Sequence, residues 1–176
     1  LAALRDTADS WLQRDPGAQI ALVGDWNIAP HDEDVWDMAA FENSTHVSEP
    51  ERAAFRAMVE SGFTDVVRPH TPGPGVYTFW DYQAGAWPRN LGIRIDHLLC
   101  SPQAADRLTD VVIHRDERDK EKPSDHVPVV AELAQHAPQV ADANYVWLDL
   151  KQAADAGLPA PIKTLLNSLA QAELLL

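Results

Sequence analysis

Three short stretches place Asp, Asn and His side chains where strands are expected to end: Gly24-Asp25-Trp26-Asn27, Ile95-Asp96-His97 and Ser124-Asp125-His126. Hydrolysis of a phosphodiester needs a cation to neutralise phosphoryl oxygens, a group that orients or deprotonates water, and donors toward the charge that grows in the transition state. Carboxylate, amide and imidazole groups meet those needs. Taken alone, Gly24-Asp25-Trp26-Asn27 reads equally as a strand followed by an Asx turn. Asp96 carries more information, because a carboxylate flanked by Ile95 and Leu98 loses several kcal/mol on burial unless a cation or donor accompanies it. The structural alternative is a buried pair with Arg94 or Arg89. Ser124-Asp125-His126 reads as a turn that satisfies backbone donors at a strand entrance, or as a source of imidazole. A His beside an Asp is held in one tautomer and, when protonated, donates to a phosphate oxygen, which makes Asp96 with His126 the preferred pair.

The elements that must position these groups follow from the hydrophobic pattern. Leu1, Leu4, Ala8, Trp11 and Leu12 fall at helical spacing, and Pro16-Gly17 ends the helix. Gln19 to Val23 is a short apolar run that predicts a buried strand, with Asp25 and Asn27 just beyond its exit. Asp32 or Asp34 can cap a turn around Val35-Trp36, and Glu51 to Ser61 returns to helical spacing, ended by Gly62. Pro69 to Gly75 predicts a rigid loop. Tyr77 to Tyr82 has strand composition, with alternation sending Tyr77, Phe79 and Asp81 to one face and Thr78, Trp80 and Tyr82 to the other. Further strands are expected over Ile93 to Cys100, Arg107 to Arg115 and Val127 to Leu133. Strands alternating with helices and loops indicate a layered α/β arrangement.

The chain of 176 residues is long enough for one domain with a core. No run approaches the roughly 18 apolar residues of a membrane span. Its opening residues lack the pattern of an export signal, and a lone cysteine, Cys100, sits in an apolar run as a buried filler; both fit a cytoplasmic location. The formal net charge of −13 argues against a protein that coats nucleic acid by bulk attraction. It argues less against an enzyme that gathers carboxylates around a cation, since the ion reverses the local field.

In order along the chain, Gly24-Asp25-Trp26-Asn27-Ile28-Ala29-Pro30, Tyr77-Thr78-Phe79-Trp80-Asp81-Tyr82, Gly92-Ile93-Arg94-Ile95-Asp96-His97-Leu98-Leu99 and Lys122-Pro123-Ser124-Asp125-His126-Val127-Pro128-Val129 resemble the exonuclease III family. These are DNA-repair exonucleases and abasic-site endonucleases of the endonuclease/exonuclease/phosphatase superfamily. The likeness spans residues 1–133 and includes Ser48-Glu49-Pro50-Glu51-Arg52. It implies the C-terminal half of a DNase I-like, four-layered α/β sandwich, a mixed sheet with covering helices. Residues 134–176 have no counterpart in that core, and a helical tail is expected there.

The resemblance also implies roles. Asp25 orients or deprotonates the attacking water, Asn27 neighbours it at the phosphate, and Asp96 with His126 forms the Asp/His pair that stabilises the phosphoryl charge. Asp125, Asp25 and Asn27 are the implied metal ligands, for Mg²⁺ or Mn²⁺. Phe79, Trp80, Ile93 and Ile95 are the implied substrate contacts, with Phe79, Ile93 and Ile95 forming an apolar pocket for a base-free sugar. Two departures stand out: Ile93 replaces an aromatic residue of some relatives, and Gln83 stands where many bacterial members have Arg. The family's early-strand Asn, principal metal-binding Glu and catalytic Tyr precede the region matched here, so weakened activity is expected of this chain. The implied partner is double-stranded DNA with abasic sites or 3′ ends, with no membrane association, and self-association through an uncovered sheet face is expected. The alternatives are a non-catalytic binding module and a hydrolase of another phosphodiester, such as a lipid.

Overall fold

The computed structural model describes residues 1–134, so the tail expected beyond Ala134 lies outside the described residues. Helix α1 (Ala2–Arg14) presents Leu4, Ala8 and Leu12 on one face to the core, the i, i+4 stripe that the pattern predicts. Trp11, expected on that stripe, is 39% exposed. Helix α2 (Glu49–Glu60) begins with Pro50 in its first turn and Glu49 and Glu51 at its positive dipole end. It stops before Gly62, whose φ of +109° is costly for other residues. Phe55 and Met58 of α2 pack with Ala8, Leu22, Ile28, Phe63 and Leu99 in the main core.

Strands β1 (Ala21–Asp25), β2 (Thr64–Asp65) and β3 (Asp96–Cys100) form one sheet in the order β1-β3-β2. Two short helices, α3 (Val67–His70) and α4 (Pro102–Ala105), flank β3 in sequence, and β4 (Leu108–Ile113) pairs with β5 (Val129–Leu133) in a second sheet. A mixed sheet was the expectation; every ladder among the described residues is antiparallel. Val66, Val67, Leu98, Cys100, Ala104 and Val111 fill the core between β3 and β4, with Cys100 buried as an inert filler.

Strand β1 is less buried than its apolar run implies. Only Leu22 is covered, and Val23 is 65% exposed. β1 lies at the edge of its sheet and meets the helices with one face, so alternate side chains turn away from the core. Tyr77 to Tyr82 does not form a strand: its contacts are isolated bridges in which Phe79 pairs with both Ile93 and His126. Nor does alternation divide it into two faces. Tyr77, Thr78 and Trp80 are all buried, whereas Tyr82 is 62% exposed, because the segment is wedged between the Gly92–Asp96 stretch and the residues entering β5. At Gly92 the wedge leaves no room for a side chain, since a Cβ there would stand 2.5 Å from both Trp80 Nε1 and Tyr77 Cδ2. No helix among the described residues is long and apolar enough to cross a membrane.

Candidate active site

The register of β1 against β3 places Asp25 directly opposite Asp96. Opposed residues of an antiparallel pair project to the same face, so the two carboxylates share one side of the sheet. The pairing continues one residue further, with the Trp26 N–H donating to Ile95 O at 2.9 Å. His126 arrives from the segment before β5 and is set by two backbone ties to the aromatic run: Trp80 N–H donates to Asp125 O and Val127 N–H to Thr78 O, each at 2.9 Å. Its own N–H donates to Ser124 Oγ at 3.1 Å.

Within that frame His126 Nδ1 stands 2.9 Å from Asp96 Oδ2. A carboxylate only accepts, so Nδ1 carries the proton and donates. The opposite nitrogen, Nε2, lies 3.9 Å from Asp25 Oδ2, beyond hydrogen-bond range. It therefore remains open toward the space beside Asp25. The alternative partners of Asp96 are engaged elsewhere: Arg94 is occupied by Asp34 and Asp65, and Arg89 donates to Ala84 O.

Asp25 and Asn27 form one unit. Asp25 Oδ1 accepts the Asn27 N–H at 2.8 Å and Oδ2 accepts Asn27 Nδ2 at 3.3 Å. The turn requires a left-handed backbone, and Asn27 adopts φ +55°, a conformation that Asn tolerates better than most residues. With Nδ2 directed at Asp25, the Asn27 amide oxygen remains available to a ligand. Asp125 stands apart from that unit: its Oδ1 accepts from Ser124 Oγ at 3.4 Å, and it shares no hydrogen bond with Asp25 or Asn27. Among the described residues no three His, Cys, Asp or Glu side chains gather as a ready-made metal cage.

The residues expected to meet substrate divide sharply. The Phe79 ring is partly exposed and tilted against His126, with centroids 5.0 Å apart. Ile93 and Ile95 are buried beneath it with Ala29 and Val35. Trp80 is a correction: it is fully buried, donates its Nε1–H to Asn90 at 3.1 Å and packs edge-on against Trp87. It is a core ring rather than a substrate contact. Gln83 lies in an exposed turn whose N–H donates to Asp81.

Sequence reasoning missed the buried polar network behind the site. Arg94, with no exposed surface, grips Asp34 through Nε at 2.7 Å and Nη2 at 3.2 Å, and Asp65 through Nη1 at 3.0 Å. Arg68 also pairs with Asp34. Burial pushes the Asp34 carboxyl up, but the Arg94 hydrogen bonds, the Arg94 and Arg68 charges and the His31 N–H outweigh it and hold it below the ordinary range. Arg94 Nη1 also donates to His97 Nδ1 at 3.2 Å, so His97 carries its proton on Nε2, which donates to Ile28 O at 2.7 Å. Burial first, and then the Arg94 charge, lower the His97 pKa to about 4. The one available signal was an arginine inside an apolar strand, which demands acidic partners. Its main partner stands 60 residues away, with no local pattern to mark it.

Comparison with known proteins matches residues 2–126 to the Endonuclease/Exonuclease/phosphatase family. An exodeoxyribonuclease of Bacillus subtilis is 36% identical over 119 residues, 67% of this chain and 46% of that protein. A solved 3′ phosphatase from Neisseria, bound to a product DNA hairpin, aligns with a TM-score of 0.71 and 38% identity, covering 76% of this chain and 51% of that one. An AP endonuclease from Archaeoglobus fulgidus aligns with a TM-score of 0.66 and 36% identity over 74% of this chain and 52% of that one. The chain thus spans about half the length of these relatives. The family match extends over most of the chain, from residue 2 to residue 126, and its relatives are similar in both sequence and fold: this chain belongs to the endonuclease/exonuclease/phosphatase family.

Proposed function

We propose that the chain contributes the phosphate-handling part of a Mg²⁺-dependent nuclease acting on double-stranded DNA, cutting at abasic sites and trimming 3′ ends. The observation that carries this reading is the convergence of Asp25 and the Asp96-supported ring of His126 on one face of the β1–β3 ladder. His126, protonated, donates from Nε2 to a phosphoryl oxygen, while Asp96 fixes the ring through Nδ1. Asp25 accepts from water in line with the scissile bond, and Asn27 holds its carboxylate. Phe79 offers an apolar edge to a sugar that lacks its base, with Ile93 and Ile95 as the floor beneath it.

The donor set suits Mg²⁺. That ion takes hard oxygen ligands and commonly relies on one or two carboxylates plus substrate phosphates and water. The Asp25 carboxylate and the Asn27 amide oxygen would hold such an ion, with Asp125, which bonds to neither, as a carboxylate of lower rank. Bound there, Mg²⁺ neutralises phosphoryl charge as a Lewis acid. DNA is favoured over lipid phosphodiesters because the similar proteins are an exodeoxyribonuclease, a 3′ phosphatase bound to a DNA hairpin and an AP endonuclease. The exposed Val23 surface, through which copies of the chain can associate, is a secondary part of the same reading.

The test is cleavage of a duplex containing a single abasic site, with Mg²⁺, by this chain and by its Asp25→Ala variant. Mg²⁺-dependent cleavage that falls about a hundredfold or more in the variant is expected. Equal rates for the two chains, or hydrolysis of lipid phosphodiesters with DNA untouched, would overturn the reading.

A further inference from the structure

The loop that follows β1 is held by an unusual set of donors. Three consecutive carbonyls each accept from a different side chain: Asn27 O from His46 Nδ1 at 2.9 Å, Ile28 O from His97 Nε2 at 2.7 Å, and Ala29 O from Arg52 Nε at 2.9 Å. These donors come from three separate parts of the chain. His97 lies in β3, Arg52 in α2 and His46 in a 3₁₀ turn, Thr45–Val47.

We propose that His46 is a positioning residue that locks Asn27 into its left-handed turn and thereby aims the Asn27 side chain at Asp25. The proposal rests on the assignment of Asn27 to the phosphate site. Asn27 has φ +55°, so its backbone has nearby alternatives unless its peptide groups are fixed on both sides. Its N–H is fixed by Asp25 Oδ1 and its C=O by His46. His46 clasps the loop twice, because its own C=O accepts the Ala29 N–H at 2.8 Å. The residue is itself anchored: its backbone N–H donates to Ser44 Oγ at 3.3 Å, and Phe41 meets the imidazole edge-on at 6.4 Å. A carbonyl only accepts, so the bond requires the proton on Nδ1, a state present in one neutral tautomer and in the cation alike.

Substitution separates this role from simple packing. Asn places an amide N–H near the position of Nδ1, Gln places one near Nε2, and Leu has neither. In the ¹⁵N-labelled chain, His46→Leu and His46→Gln are expected to speed hydrogen exchange of the Asn27 amide about tenfold, the scale of one lost hydrogen bond. His46→Asn is expected to restore the parent rate. The thermal midpoint stays close to that of the parent in all three, since the ring is only partly buried. On the abasic duplex, His46→Leu lowers kcat and leaves KM unchanged, and His46→Asn recovers it. An unchanged Asn27 exchange rate in His46→Leu, or His46→Gln behaving like His46→Asn, overturns the proposal. The exchange comparison needs no turnover, so it decides the role of His46 even if the Asp25→Ala assay overturns the nuclease reading.

Discussion

Asp25 and Asp96 oppose one another across the β1–β3 ladder with their side chains on the same face. Two like charges in that relationship destabilise a sheet by roughly 0.2–1 kcal/mol. The ring of His126 enters between them, 2.9 Å from Asp96 and 3.9 Å from Asp25. The Asp96 contact at Nδ1 fixes the orientation of the ring, so that Nε2 faces the Asp25 side. On the proposed reading, function and fold place opposite demands on the same pair: the sheet would be more stable without two carboxylates, and the proposed chemistry uses both.

Replacing Asp96 with Asn tests the pair. The Asn amide can donate to His126 Nδ1, which forces the ring to carry its neutral proton on Nε2 and removes the charge that supports the imidazolium. Cleavage of an abasic duplex under single-turnover conditions is expected to slow about a hundredfold or more, with little change in the unfolding midpoint. An Asp96→Asn chain that cuts as fast as its parent would show that the pair is only structural.

The network behind the site governs stability. Asp34 and Arg94 have no exposed surface and are joined by paired hydrogen bonds, so removing one partner leaves the other charged and buried. Asp34→Ala is expected to cost about 3–5 kcal/mol in denaturant unfolding. A loss under about 1 kcal/mol would show that solvent reaches Arg94 in the variant.

The same network makes acid destabilising. The His97 pKa is about 4 in the folded chain against an ordinary 6.5, so above pH 6.5 the ring is neutral in both states and its contribution is complete. As pH falls from 6.5 toward 4, the unfolded chain takes up a proton that the folded chain refuses, and stability is lost. The lost contribution approaches roughly 3 kcal/mol, and it adds to the loss from Asp34, whose lowered pKa acts in the same direction at lower pH. Arg94, Asp34 and Asp65 are the charged groups facing the ring. Urea midpoints measured between pH 7 and pH 4 for the parent and for His97→Gln should show the steeper fall in the parent. Parallel slopes would exclude His97 as the source.

What the sequence reveals and what it hides divide along physical lines. The proximity of Asp25, Asn27, Asp96 and His126 was legible because each stands at or near a strand terminus beside residues with strong local patterns, and their types suit one chemistry. Helix α2 was legible from its periodicity and from Gly62. The aromatic run misled, since its β propensity predicts a strand while tertiary packing takes Tyr77, Thr78 and Trp80 all inward. Trp80 was misassigned for the same reason. The Asp34–Arg94–His97 chain was hidden because Asp34, the main partner of Arg94, stands 60 residues away and reads as a turn cap, while Arg94 was weighed only as a partner for Asp96. His46 was hidden because its partner is a main-chain carbonyl, which no residue type announces.

Thr78 shows how a small buried hydroxyl positions the larger groups. Its Oγ1 accepts both the Ile95 N–H and the Asp96 N–H at 3.2 Å, its N–H donates to Ile93 O at 3.1 Å, and its C=O accepts from Val127 next to His126. One residue therefore ties the backbone of Asp96 to the segment that carries His126. Thr78→Val keeps the shape but leaves two buried N–H groups without an acceptor, at a cost of about 1–3 kcal/mol for each that water fails to reach. Thr78→Ser keeps the acceptor and loses a methyl, a cost of about 1 kcal/mol. If the hydroxyl positions Asp96, the Val variant should be the less stable of the two and should show a changed His126 ring resonance, while the Ser variant retains the parent signal. Equal stability and an unmoved His126 resonance in Thr78→Val would mean that β1 and β3 alone fix Asp96, and that the aromatic run does not help to set the pair.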